Sequence, residues 1–104
     1  MRWRLGVTET NEAIRSGRMA QINKRLDELT KPEAQYFCTE GGTRTGYVFF
    51  DLADPSDIPP IAEPLFQELN ATVEFFPTMD GAHLGAGLDK ASAALGWRAR
   101  HGWR

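Results

Sequence analysis

The chain has 104 residues, of which 41% are hydrophobic and 25% are charged, and its formal net charge is −2 at pH 7. These values are typical of one globular domain and exclude collagenous, low-complexity and disulfide-rich chains. No apolar stretch is long enough to cross a bilayer and the first residues do not have the pattern of a signal peptide, so we expect a cytoplasmic protein without a membrane partner.

Basic residues are concentrated at the C-terminal end. Residues 97–104 carry Arg98, Arg100 and Arg104, which leaves residues 1–96 more acidic than the chain as a whole. An acidic body repels phosphates, which argues against a nucleic-acid partner. We therefore expect a single domain over residues 1–96 and a basic, aromatic tail over residues 97–104. An arm for RNA or an anionic membrane is the alternative interpretation of this tail.

The first half of the chain predicts a strand, a helix and a hairpin. Apolar and polar residues alternate over residues 1–8, which is typical of a strand. Residues 11–29 carry an apolar stripe at helical spacing, and Gly17 is expected to weaken that helix. Two β-forming segments, residues 34–40 and 43–52, are joined by Gly41-Gly42, a pair that suits a tight hairpin.

The second half predicts a helix, a strand and a final helix. Asp54-Pro55 is a helix start, and Pro64 is expected either to divide this helix into two short pieces or to kink it, with a regular turn from about Pro64 to Leu69. Residues 71–77 predict a fourth strand, and Asp80 is expected to cap a helix that carries Leu84, Leu88, Ala91 and Leu95 on one face.

This order predicts an α+β protein with a ferredoxin-like βαββαβ fold, an antiparallel sheet in the order 4-1-3-2, and both main helices on one face. The other face is expected to hold a mixed set of side chains: Arg2, Arg4, Tyr47, Phe49, Asp51, Thr72, Glu74 and Phe76. Such a face is too apolar to stay in water, so we expect a homodimer, sheet face to sheet face, in a dimeric α+β barrel.

Three segments carry a resemblance to a known family: KPEAQYF at 31–37, RTGYVFFDLADPSDIP at 44–59 and AEPLFQELNATVEFFPTM at 62–79. They resemble the small uncharacterised bacterial proteins of the DUF3303 type, within the dimeric α+β barrel superfamily. The resemblance implies the fold and the dimer but no reaction. The wider superfamily includes cofactor-independent monooxygenases, haem-degrading enzymes and lactone isomerases, which work between sheet and helices or inside the barrel.

The candidate ligand-binding residues are Arg4, Tyr47, Phe49, Asp51 and Glu74. An arginine beside aromatic rings would hold a carboxylate or enolate, and a neighbouring acid would serve as base. The alternative is a structural ion pair between strands, in which we expect Arg4 to meet Asp51. His83, at the start of the last helix, is a third candidate for acid–base chemistry.

The single cysteine, Cys38, is expected to be a buried apolar thiol, and no metal-ligand spacing or cofactor motif is present. The leading hypothesis is a homodimer that binds a small, partly apolar or anionic molecule. Two alternatives remain open. One is a cofactor-independent monooxygenase or isomerase that uses Arg4 and Asp51, or His83. The other is a non-catalytic interaction or regulatory module.

Overall fold

The computed structural model describes residues 1–96, and the predicted tail at 97–104 lies outside the described residues. The elements are β1 (Arg2–Arg4), α1 (Val7–Ser16), α2 (Arg18–Thr30), β2 (Ala34–Glu40), β3 (Thr43–Phe49), a 3₁₀ turn (Pro55–Asp57), α3 (Ile58–Leu69), β4 (Thr72–Glu74) and α4 (Gly81–Leu95). The predicted α+β class is confirmed. No helix within residues 1–96 has the length and apolar character needed to span a membrane.

The four strands form one antiparallel sheet in the order β2-β3-β1-β4, which is 4-1-3-2 when counted from the other edge. Trp3 on β1 lies opposite Gly46 on β3 and opposite Val73 on β4. Because successive residues of a strand point to opposite faces, Trp3, Gly46 and Val48 share the face that packs against the helices, and Arg2, Arg4 and Tyr47 share the other.

The predicted first strand is too long. β1 ends at Arg4, and α1 begins at Val7, whose side chain is 65% exposed. The change of direction occurs at Gly6, whose N–H donates to the carbonyl of Leu69 at 2.9 Å. A side chain at Gly6 would place its Cβ 2.8 Å from that carbonyl oxygen, so only glycine allows this close approach. The alternating pattern over residues 1–8, which predicted one strand, therefore includes the end of β1 and the start of α1.

The predicted weak point of the first helix is confirmed at Gly17. With a φ of 80°, Gly17 ends α1 and precedes α2, so the break is complete. The predicted apolar stripe is only partly buried. Ile22 and Leu26 lie in the core, whereas Ile14 is 53% and Leu29 is 47% exposed.

The hairpin prediction is confirmed for β2 and for the turn, in which Gly41 and Gly42 have φ values of 59° and 78°. β3 and β4 are shorter than expected, ending at Phe49 and Glu74. The expected division of this helix at Pro64 is wrong, because α3 is one helix that runs from Ile58 through Pro64 to Leu69. Packing of its buried face offsets the missing N–H.

The core lies between the sheet and helices α1 to α3. Its buried hydrophobic side chains are Met1, Trp3, Ala13, Ile22, Leu26, Val48, Ile61, Ala62, Leu65, Leu69 and Ala71. Trp3 is the largest of these, and only 1% of it is exposed. The indole fits because Gly46 has no side chain: a Cβ there would lie 2.1 Å from Trp3 Nε1. The absence of a side chain at Gly46 therefore leaves the space on the sheet that the indole occupies.

Helix α4 begins as predicted, with the Asp80 carboxylate accepting from the His83 backbone N–H at 2.8 Å. Its packing differs from the expectation, since Ser92 is the one buried residue of α4. Leu84 and Leu95 are 45% and 60% exposed. The apolar face of α4 is therefore largely uncovered within the described part of the chain.

We predict that Gly46→Ala destabilises the protein by about 2–3 kcal/mol, because the added methyl group must displace the buried indole of Trp3. Chemical denaturation followed by circular dichroism measures this change. Gly87→Ala is the matched control, since nothing lies within 4 Å of its added Cβ. In the interior of α4 this control should be stabilising by about 0.5–1 kcal/mol. Equal effects of the two substitutions would refute the role given to Gly46.

Candidate functional site

The face of the sheet opposite the helices, here called the open face, carries a pair of aromatic rings. Tyr36 is 63% exposed and Phe49 is 37% exposed. Their ring centroids are 6.4 Å apart at an interplanar angle of 77°, an edge-to-face contact. No described element covers this pair. The open face therefore presents apolar surface together with charged groups.

Those charged groups form a closed network centred on Arg2. Its guanidinium donates to Glu40 at 3.0 Å and to Glu74 at 2.5 Å, linking β2, β1 and β4. The Tyr47 hydroxyl donates to the other oxygen of Glu40. Arg4 donates to the backbone carbonyl of Glu40 at 3.1 Å. The network thus includes Arg4, Tyr47 and Glu74 of the candidate ligand-binding residues, and Arg2 and Glu40 lie at its centre.

The expected meeting of Arg4 and Asp51 does not occur. Arg4 lies opposite Thr45, whereas Asp51 follows the end of β3, beyond the residues that pair with the start of β1. The strands are antiparallel as expected, but Arg4 is the last residue of β1 and Asp51 lies beside its first residues. The register therefore separates the two side chains along the full length of β1.

The network shifts the proton affinities of its members. The hydrogen bond from Tyr47, assisted by the charge of Arg2, lowers the pKa of Glu40 below its ordinary value, and the same bond raises the pKa of Tyr47. The hydrogen bond to Glu74 raises the pKa of Arg2. These shifts favour a charged Arg2, a charged Glu40 and a neutral Tyr47 hydroxyl that donates to Glu40, which is the behaviour of a structural ion network.

Asp51, Phe49 and His83 line a second feature, here called the end cleft, of about 440 Å³ between the ends of β3 and β4 and the start of α4. His83 is already engaged there: its Nδ1 lies 2.9 Å from Asp80 Oδ1. The backbone N–H of His83 lowers the pKa of Asp80. The structure thus brings Asp51 and His83 to one cleft and leaves Arg4, Tyr47 and Glu74 outside its lining.

A third feature lies on the helix side of the sheet, where α1 and α2 meet the β2–β3 hairpin. This groove has a volume of about 440 Å³. Its lining residues are Trp3, Leu5, Thr10, Ile14, Met19, Asn23, Phe37, Cys38, Thr39, Arg44, Thr45 and Gly46. Trp3 and Phe37 form an edge-to-face pair within it, with centroids 6.3 Å apart. Ile14 and Phe37, exposed by 53% and 62%, show that the apolar wall of the groove is unfilled.

Two polar atoms beside the groove lack partners. Trp3 Nε1 and Thr10 Oγ1 are buried and make no hydrogen bond with residues 1–96. Both residues are 1% exposed. An unsatisfied buried polar group costs about 1–3 kcal/mol. Trp3 and Thr10 both belong to the lining of the groove.

Cys38 does not have the predicted buried position. It is exposed, and it lies opposite Thr45 in the β2–β3 pair. β2 is an edge strand, so its open-face side chains have a neighbour on one side only. Within residues 1–96, no group of three His, Cys, Asp or Glu side chains is placed to hold a metal ion.

The groove was not anticipated from the sequence, because Trp3 was interpreted as core and Arg44 was given no role. One signal was present. Gly46 interrupts an otherwise β-branched and aromatic strand, and glycine inside a strand often marks the close approach of another group. That signal points to the large residue opposite, which is Trp3.

Comparisons of this chain with protein-family models, with curated proteins and with solved structures find no match.

We predict that the Glu40 network stabilises the fold most at neutral pH. The pKa of Glu40 is lowered from an ordinary value of 4.5, so this stabilisation is complete above that value and is lost as the pH falls through the folded-state pKa. Glu40→Gln should therefore reduce the free energy of unfolding at pH 7 and lessen its decline in acid. Urea denaturation of both proteins from pH 7 to pH 3 measures the difference.

Tyr47→Phe removes the hydroxyl whose hydrogen bond contributes most to the lowered pKa of Glu40. This variant should also have a lower free energy of unfolding at pH 7 and a smaller decline of that free energy in acid. If the free energies of unfolding of wild type and Glu40→Gln differ by the same amount from pH 7 to pH 3, the stabilising role given to the ionised Glu40 carboxylate is contradicted.

Proposed function

We propose that this protein is a homodimeric, ferredoxin-like α+β barrel protein that binds a small, partly apolar or anionic molecule. The observation that supports binding is the groove beneath α1 and α2, with its unfilled apolar wall and two buried polar atoms without partners. A ligand there would cover Ile14 and Phe37 and would supply partners for Trp3 and Thr10. The resemblance to DUF3303-type proteins agrees with this proposal.

The end cleft supports an anionic ligand less well. Its lining includes Glu33, Asp51 and Asp80. Three carboxylates would repel an anion at close range. The groove has no acidic residue in its lining and one arginine, Arg44. Within an acidic protein, the groove is therefore the better site for the anionic ligand expected from the sequence.

The homodimer is supported by the composition of the open face. Tyr36 and Phe49 expose apolar rings there. The two arginines of the network are balanced by Glu40 and Glu74. In a two-fold symmetric contact each copy meets its own surface, so a face of balanced charge does not repel itself. The uncovered apolar face of α4 provides a second contact area for the same partner.

Catalysis is the second candidate function, favoured by the placement of Asp51 and His83 in one cleft. It has less support than binding, because His83 is paired with Asp80 and the arginine expected to polarise a substrate, Arg4, is held by Glu40. A cofactor-independent monooxygenase or isomerase would have to work without that cation.

We predict that Ile14→Trp, which fills the groove from its exposed wall, abolishes ligand binding while the protein stays folded. Thermal-shift screening against small metabolites identifies stabilising compounds, since a ligand at 100 times its dissociation constant adds about 2.7 kcal/mol of stability. The matched control is Val7→Trp, which places the same ring at an exposed position of α1 outside the groove. Compounds that stabilise Ile14→Trp as well as wild type would place the site elsewhere.

We predict a dimer at micromolar concentration, with an interface above about 1,200 Å² in total. Tyr36→Glu should shift sedimentation toward the monomer, because it puts a charge into the centre of the apolar contact. Phe66→Glu, at an exposed aromatic of α3 on the other side of the sheet, should leave the dimer intact. A wild-type protein that is monomeric at these concentrations would contradict the proposed dimeric α+β barrel.

A further inference from the structure

We propose that the ligand of the groove is a monocarboxylate with an apolar body, its carboxylate bound by Arg44 and its body lying over Trp3. This inference rests on the proposed function and names the chemical class of the molecule. It follows from the charge of the groove, from the geometry of its floor and from the polar atoms that lack partners.

Arg44 is the one charged residue in the lining of the groove. It lies on the helix side of β3, opposite the neutral Thr39, and its side chain makes no hydrogen bond or ion pair with residues 1–96. The other arginines of the sheet, Arg2 and Arg4, are both engaged with Glu40. Arg44 is therefore available to an external anion.

The guanidinium geometry favours a carboxylate. Two parallel N–H groups match the two oxygens of a carboxylate in a bidentate contact. A phosphate ester carries more charge and is usually held by several donors, which the groove lacks because its lining contains one cation. A cationic ligand finds no acidic residue there. One negative charge is thus the best match.

The remainder of the groove requires an apolar body. Beyond Arg44, the lining is dominated by Trp3, Ile14, Met19 and Phe37. Covering the exposed parts of Ile14 and Phe37 removes apolar surface from water at about 25 cal/mol per Å². The volume of about 440 Å³ lies within the usual range of pockets for small molecules. Acetate would leave most of this wall exposed.

The indole adds a further requirement. Trp3 Nε1 is a donor only, so its missing partner is an acceptor. Thr10 Oγ1, also without a partner, both donates and accepts. Because Nε1 lies over Gly46, an oxygen on the ligand, from the carboxylate or from a keto or hydroxyl group near it, reaches the indole only when the ring turns this edge toward the groove. A pure hydrocarbon provides no such oxygen.

Isothermal titration calorimetry with octanoate, 1-octanol and octylamine tests the proposal, since the three probes share one apolar chain and differ in charge. We expect octanoate to bind most tightly, with an affinity that falls as salt is added. Arg44→Gln should weaken octanoate about tenfold and leave 1-octanol unchanged. Arg44→Lys should retain part of the preference, because it keeps the charge and loses the planar fork.

Arg15→Gln is the matched control, an exposed arginine of α1 that does not line the groove, and it should leave octanoate binding unchanged. Equal affinity for octanoate and 1-octanol, unaffected by Arg44→Gln, would contradict the proposal that Arg44 binds a carboxylate. It would still agree with the proposed binding function. Absence of binding by all three probes, together with no stabilising compound in the thermal-shift screen, would contradict both the carboxylate ligand and the proposed binding function.

Discussion

The contact between Trp3 and Gly46 determines the interior of this protein. The indole occupies the space over β3 where any other residue would place a Cβ, 2.1 Å from Nε1. Because β1 is only three residues long, this side chain provides most of what the strand contributes to the core. The same ring pairs edge-to-face with Phe37 at the groove. Core packing and the candidate ligand site thus depend on one side chain.

The sheet places different chemistry on its two faces. On the helix side, a large aromatic ring lies between a glycine and the helices, and the incomplete cover by α1 and α2 leaves the groove. On the open side, Arg2 links three strands through Glu40 and Glu74. Arg2, Glu40 and Glu74 are paired with one another, which leaves the exposed rings of Tyr36 and Phe49 as the available contact surface of the open face. A binding site on one face and a partner contact on the other are therefore compatible.

Much of the fold was predictable from the sequence because its signals are local. The Gly41-Gly42 turn, the break at Gly17 and the Asp80 cap each depend on a few adjacent residues. The predictions are wrong where the structure depends on contacts between residues that are far apart in the sequence. The first strand ends early because Gly6 approaches the carbonyl of Leu69, a contact that no local pattern contains. Cys38 is exposed because β2 lies at the edge of the sheet. The predicted strand order already placed β2 there, but the burial of Cys38 was judged from its residue type alone.

The candidate site was less predictable, since it depends on register. The sequence correctly grouped Arg4, Tyr47 and Glu74 on one face, but it paired Arg4 with Asp51, which lies at the opposite end of β1. Arg2 was placed on the same face but was not expected to link Glu40 and Glu74 in one network, and Glu40 was omitted. Glu40 reaches this network from an edge strand, across β3, a contact that depends on side-chain length and sheet geometry.

The most direct measurement for the central claim, that the Trp3 indole forms a groove floor with an unused hydrogen-bond donor, is its Nε1–H resonance in a ¹⁵N-resolved NMR spectrum during titration with octanoate. The indoles of Trp97 and Trp103 serve as internal references, and each Trp→Phe variant assigns one signal. The account predicts a saturable downfield movement of the Trp3 signal alone, because an acceptor oxygen deshields the proton. A Trp3 signal that stays unchanged while octanoate stabilises the protein would contradict it.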